Sequence, residues 1–82
     1  MAGLIGPDHR PLVNYVYLGG KEGYWDYDYY LLEGGSVWCH ESPSSNGYSR
    51  SRWVKIEDGE LDSIVLDGKS LRQRIAERKA HP

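Results

Sequence analysis

The stretch Tyr24-Trp25-Asp26-Tyr27-Asp28-Tyr29-Tyr30-Leu31-Leu32 restricts the fold of this chain more than any other segment. Strand geometry sends successive side chains to opposite faces. Trp25, Tyr27, Tyr29 and Leu31 then share one face, and Tyr24, Asp26, Asp28, Tyr30 and Leu32 share the other. The first set is apolar enough to form a core. The second mixes phenols with carboxylates, a chemistry suited to gripping another molecule. Six of the seven tyrosines fall between positions 15 and 30, and the chain contains no Phe. Its aromatic weight therefore ends in polar groups that seek hydrogen bonds, which draws several of them to the surface.

Turn signals bracket the aromatic segment. Gly19-Gly20-Lys21-Glu22-Gly23 separates it from a strand expected at Leu12–Leu18, and Glu33-Gly34-Gly35-Ser36 reads as a hairpin turn into Val37–Glu41. Ser42–Gly47 reads as a loop, where Asn46-Gly47 allows positive φ. Further strands are expected at Tyr48–Glu57 and, after the Asp58-Gly59 turn, at Leu61–Leu66. The period then changes. Ser70 and Gln73 are spaced as a capping box and Leu71 and Ile75 lie one turn apart, which predicts a helix over 70–79. Residues 1–11 form an irregular lead-in and 80–82 a tail. The expected fold class is α+β: a small antiparallel β-meander of about five strands (12–66) with one C-terminal α-helix, in a single small domain spanning 1–82. A chain of 82 residues buries only about 60–65% of its unfolded surface, which leaves little stability to support a deep, strained cleft.

The net charge of −2 conceals a segregation. Residues 1–68 carry five Lys/Arg against eleven Asp/Glu, whereas residues 69–82 carry five against one. The body is acidic and the C-terminal element basic. A single cysteine, Cys39, excludes an internal disulfide framework and a Cys-based zinc site. No apolar run approaches the roughly 20 residues that cross a bilayer, and the first residues lack the apolar core of a signal peptide, so a cytoplasmic location is expected.

Motifs with catalytic or ligand-binding appearance fail on spacing. Asp26 and Asp28 would stand about 7 Å apart on one strand face, within the range of inverting glycosidases. Those enzymes, however, set their carboxylates on opposite sides of a cleft. A calcium loop is excluded because Leu31 occupies the sharp-turn position that requires glycine. In Cys39-His40-Glu41 the alternation turns Cys39 away from His40, so Cys39 reads as a small buried hydrophobe. His40 could face Asp26 or Asp28 from a neighbouring strand, which leaves a small hydrolase or nuclease as a minor reading. Gly68-Lys69-Ser70 resembles the end of a phosphate loop, but Ser63 stands where that loop requires glycine. No catalytic, cofactor-binding or metal-binding residue is assigned, and no cofactor is expected.

Two binding sets remain. The favoured one is Tyr15, Tyr17, Tyr24, Asp26, Asp28 and Tyr30. Carboxylates between phenols favour Arg and Lys through salt links and cation–π contact, so the expected partner is a protein with a basic surface, such as a nucleic-acid-binding protein. Small acid-bodied domains of this kind suit an inhibitor or accessory factor of bacterial or phage type, by analogy only. The alternative is a nucleic-acid-binding module built from Arg50, Arg52, Trp53, Arg72, Arg74, Arg78 and Lys79, with cationic side chains beside an aromatic platform. Against it, Asp26 and Asp28 would repel a phosphate chain where bases should stack. No membrane partner is expected. Open edge strands would permit a β-paired homodimer.

Overall fold

A computed structural model describes residues 4–43 and 51–80. The protein is a small α+β fold. Strands β1 (Val16–Lys21), β2 (Trp25–Leu31), β3 (Val37–Pro43) and β4 (Arg52–Ile56) form one antiparallel sheet in the order β1-β2-β3-β4. A 3-10 turn at Asp58–Leu61 leads to a separate two-stranded hairpin, β5 (Val65–Leu66) and β6 (Lys69–Ser70), and then to helix α1 (Leu71–Ala80). Among the described residues the meander has four strands in its main sheet and two in a small accessory one, rather than five in series.

The differences have local causes. The first strand begins at Val16 instead of Leu12 because Asn14 takes a positive φ of 53° and Leu12 N–H donates to the Leu4 carbonyl at 2.7 Å. Leu12 is thus held in an N-terminal hairpin, closed by an Ile5–Pro11 bridge. At the other end, Gly19 and Gly20 pair with Tyr29 and Asp28, so the strand runs on through what composition marks as loop. The segment Leu61–Leu66 is mostly not a strand. The Glu57 amide donates to the Glu60 carboxylate at 3.0 Å and caps a 3-10 turn. Asp67 (φ 52°) and Gly68 (φ 81°) then form a positive-φ turn that folds Val65–Leu66 back onto Lys69–Ser70. The strand expected from Tyr48 is seen from Arg52. The earlier part of it, and most of the Ser42–Gly47 loop, lie outside the described residues.

Helix α1 is capped as its spacing predicts. Ser70 Oγ accepts from Gln73 N–H at 3.2 Å, and Gln73 Oε1 accepts from Ser70 N–H at 3.1 Å. Ten residues are too few for a stable isolated helix, so tertiary contact holds it. Leu71, fully buried, and Ile75 pack on one sheet face against Leu18, Tyr29, Val37, Cys39, Leu61 and Leu66. Each such leucine contributes on the order of 1.5–3 kcal/mol by leaving water. Arg74 belongs to the same inward stripe. Its guanidinium donates to the Leu18 carbonyl at 3.1 Å and the Leu66 carbonyl at 2.7 Å, tying α1 to β1 and β5. A β-bulge between Tyr17 and Gly19 inserts Leu18 into the core. Gly19, at φ 128°, has no side chain to press on the Arg74 guanidinium, 3.1 Å from where a Cβ would stand.

Candidate functional site

Pairing within the sheet arranges the face opposite α1 in rows that run across the strands. One row is Tyr17, Tyr30, Trp38 and Lys55; the next is Gly20, Asp28, His40 and Trp53; Asp26 and Ser42 begin a third. Tyr29 and Cys39, their neighbours in sequence, point to the buried side, as alternation requires. The core side also carries Tyr27 and Leu31, so the aromatic strand does divide its residues between two environments.

The rings on the open face touch. Tyr30 lies at the centre, with ring centroids 5.5 Å from Tyr15, 5.4 Å from Tyr17 and 5.6 Å from Trp53. Trp53 in turn sits 4.7 Å from the His40 ring. Contacts of this kind contribute about 0.5–1.5 kcal/mol each beyond area burial. Tyr15 and Tyr17 remain 43% and 45% exposed. The Trp53 indole donates to the Ile5 carbonyl at 2.9 Å, so the N-terminal hairpin lies against this end of the face. Between hairpin and sheet runs an open groove of about 610 Å³, walled by Ile5, Pro7, Trp38, His40 and Trp53 among others.

At the other end the Tyr17 hydroxyl donates to Asp28 Oδ1 at 2.9 Å. Gly20 makes this bond possible: a Cβ there would stand 2.5 Å from Asp28 Oδ1 and 2.9 Å from the Tyr17 oxygen. A second pocket of about 440 Å³ opens beside them, bordered by Glu22, Asp26, Asp28 and Asp67 against the single ammonium of Lys21. Burial, then the bond to Asp28, raises the Tyr17 pKa. Burial first, then the nearby Asp28 charge, pushes Tyr30 up to about 12. His40 is lowered by burial, with Asp28 acting the other way. Burial thus favours the neutral forms of Tyr17, Tyr30 and His40 on this face.

The favoured residues are mostly brought together. Tyr15, Tyr17 and Tyr30 are in ring contact, and Asp26 and Asp28 share the pocket next to them. Tyr24 stands just before β2 and is 96% exposed, apart from the ring cluster. The alternative set is divided. Arg50 lies outside the described residues. Arg52 turns to the core side, paired with Glu41 at 2.6 Å and lying over the Trp25 ring, while Trp53 occupies the opposite face. Arg72 is paired with Asp58 and Asp62, and Arg74 is taken up by backbone carbonyls. Arg78 and Lys79 are exposed in the last turn of α1, on the far side of the sheet from Trp53, where they complement the helix dipole.

Trp38 is a member of the open face that strand reading did not single out. Alternation from Cys39 carries that signal, since both neighbours of a buried cysteine must face away. The joining of Trp53 and His40 to Tyr30 carries no local signal, because it depends on how β4 registers against β3. Asp28 and His40 are direct cross-strand partners. Among the described residues no group of three or more His, Cys, Asp or Glu side chains is placed to hold a metal ion, and no helix is long and apolar enough to cross a membrane. No protein-family model matches the chain, and neither a curated protein nor a solved structure shows significant similarity to it.

Proposed function

We propose that this chain is a non-enzymatic protein-binding module, an inhibitor or accessory factor, that applies its Tyr/Asp-rich sheet face to a basic protein surface such as that of a nucleic-acid-binding protein. The observation that supports this most directly is the cluster of Tyr15, Tyr17, Tyr30 and Trp53 on the face away from α1, adjoining the Asp26–Asp28 pocket. Tyrosine and tryptophan dominate binding hot spots because a rigid ring gains contact area at low entropic cost. The pocket's four carboxylates against one ammonium would steer and orient a cationic partner. The contact is expected to reach Tyr24 at the rim.

Capture from lysate on the immobilised protein, before and after nuclease treatment, tests the reading when compared with an Asp26→Asn/Asp28→Asn variant. The expected result is a partner that survives nuclease and is retained by the parent roughly tenfold better than by the variant at low salt. Capture that the variant leaves unchanged would remove the proposal. Capture that nuclease abolishes would favour the nucleic-acid reading instead.

A further inference from the structure

We infer that the partner segment taken by this face is an extended, proline-containing peptide with an arginine or lysine at one end. The inference rests on the reading above and adds the conformation and side-chain chemistry of the ligand.

The tilts of the rings come first. Tyr15 and Tyr30 meet at 75°, Tyr17 and Tyr30 at 55°, and Tyr30 and Trp53 at 56°. None of the three neighbours shares the plane of Tyr30, so the cluster is not the flat platform on which a nucleobase stacks. Tilted rings leave notches between them, which accept a compact apolar wedge. The pyrrolidine ring is the most rigid wedge a peptide carries, with φ already set. The steps of 5.4 and 5.6 Å on either side of Tyr30 carry the row over a length comparable to the ~9 Å turn of a polyproline II helix. Successive prolines on one side of such a helix would meet successive notches.

Ile5-Gly6-Pro7 lines the groove, and Trp53 Nε1 donates to the Ile5 carbonyl at 2.9 Å. The Trp53 indole thus shows that this face offers a donor to a backbone carbonyl, the acceptor that a polyproline II ligand, whose carbonyls have no internal partners, would also present. Charge decides the far end. The row of rings runs from Trp53 through Tyr30 to Tyr17, whose hydroxyl holds Asp28 at the rim of the acidic pocket. A terminal arginine or lysine there gains charge-assisted hydrogen bonds to Asp26 and Asp28 and a ring face on Tyr17. A preordered ligand also loses little entropy, which matters for a face this small.

Titration of the full chain by calorimetry, with tryptophan fluorescence alongside, tests the inference against three synthetic peptides. They are a short polyproline with an arginine at one end, the same peptide with glutamine for arginine, and a Gly/Ser peptide of equal length that keeps the arginine. The first is expected to bind. Loss of the arginine should weaken it about tenfold and flatten its salt dependence, and replacement of the prolines should weaken it by at least about tenfold. Tyr15→Ala, at a half-exposed position outside the strands, should weaken the first peptide while the protein stays folded, its thermal stability lowered by no more than the loss of one ring contact with Tyr30. Equal binding of the polyproline and Gly/Ser peptides would overturn the inference and leave the basic-partner reading in place. Failure of every peptide, with lysate capture still abolished by Asp26→Asn/Asp28→Asn, would also overturn it and confine the reading to folded partners. Failure of both measurements would remove reading and inference together.

Discussion

Gly20→Ala is a small change whose sign is decided by three distances. The backbone at Gly20 does not lie in the left-handed region, so alanine meets no strain there. On that ground alone the substitution would stabilise by about 0.4–1 kcal/mol, through a less flexible unfolded chain. The new Cβ, however, would stand 2.5 Å from Asp28 Oδ1, 2.6 Å from the Tyr27 carbonyl oxygen and 2.9 Å from the Tyr17 hydroxyl. The two side chains can turn away only by giving up their hydrogen bond, a loss of about 0.5–1.5 kcal/mol. The Tyr27 carbonyl is backbone in the β1–β2 ladder and cannot turn away, which adds overpacking of about 1–3 kcal/mol. The unfavourable terms win, and a net destabilisation of about 1–3 kcal/mol is expected. Urea unfolding followed by tryptophan fluorescence measures it, and each 1 kcal/mol should lower Tm by roughly 4–8 °C in a domain of this size. Tyr17→Phe is the control. In that background Asp28 is released, so the Gly20→Ala penalty should shrink to the Tyr27 part alone. A Gly20→Ala protein as stable as its parent would refute the reasoning.

Leu71→Ala removes a fully buried anchor of α1 and should cost about 2–5 kcal/mol, read as lost helical circular dichroism and a lower urea midpoint; a cost under about 1 kcal/mol would mean α1 is held otherwise. Arg74→Met leaves the Leu18 and Leu66 carbonyls without their donor and should cost about 1–3 kcal/mol, with faster amide exchange along Leu71–Ala80. Burial pushes the Cys39 thiol up to about 11, and burial likewise raises Tyr29 and Tyr30 to about 12. All three favour their neutral forms in the fold, so their contribution to stability is complete below about pH 9 and fades as pH rises through 9–12; Cys39→Ser should move the onset of that loss upward, and Cys39 should resist thiol reagents at pH 8 until the chain is unfolded. Burial lowers His40, so its contribution is present above about pH 6.5 and is lost as pH falls through the depressed value, an acid limb that His40→Gln should remove.

Much of this architecture is legible locally. Alternation through Trp25–Leu31 predicts which residues face the core, because a pleated strand has a fixed period whatever it packs against. The Ser70–Gln73 spacing predicts the start of α1, because the capping box is closed within one turn. The paired glycines after Glu33 predict the β2–β3 turn, where Gly34 and Gly35 both sit at φ 96°. Reading by composition is weaker where two local preferences compete. Leu61–Leu66 has the apolar content of a strand, yet the Glu57–Glu60 cap and the Asp67-Gly68 turn divide it between a 3-10 turn and a short hairpin.

The sequence by itself determined the two faces of the aromatic strand and the acidic character of one of them, since both follow from spacing of two residues. It carried no sign that Trp53 would stand beside Tyr30, that Ile5 would meet the Trp53 indole 48 positions away, or that Arg74 would reach the Leu18 carbonyl across 56. Those placements follow from strand register, from a bulge that turns Leu18 inward and from the space left at Gly20. Each depends on which surfaces remain unburied once the core has closed, and only the assembled fold decides that.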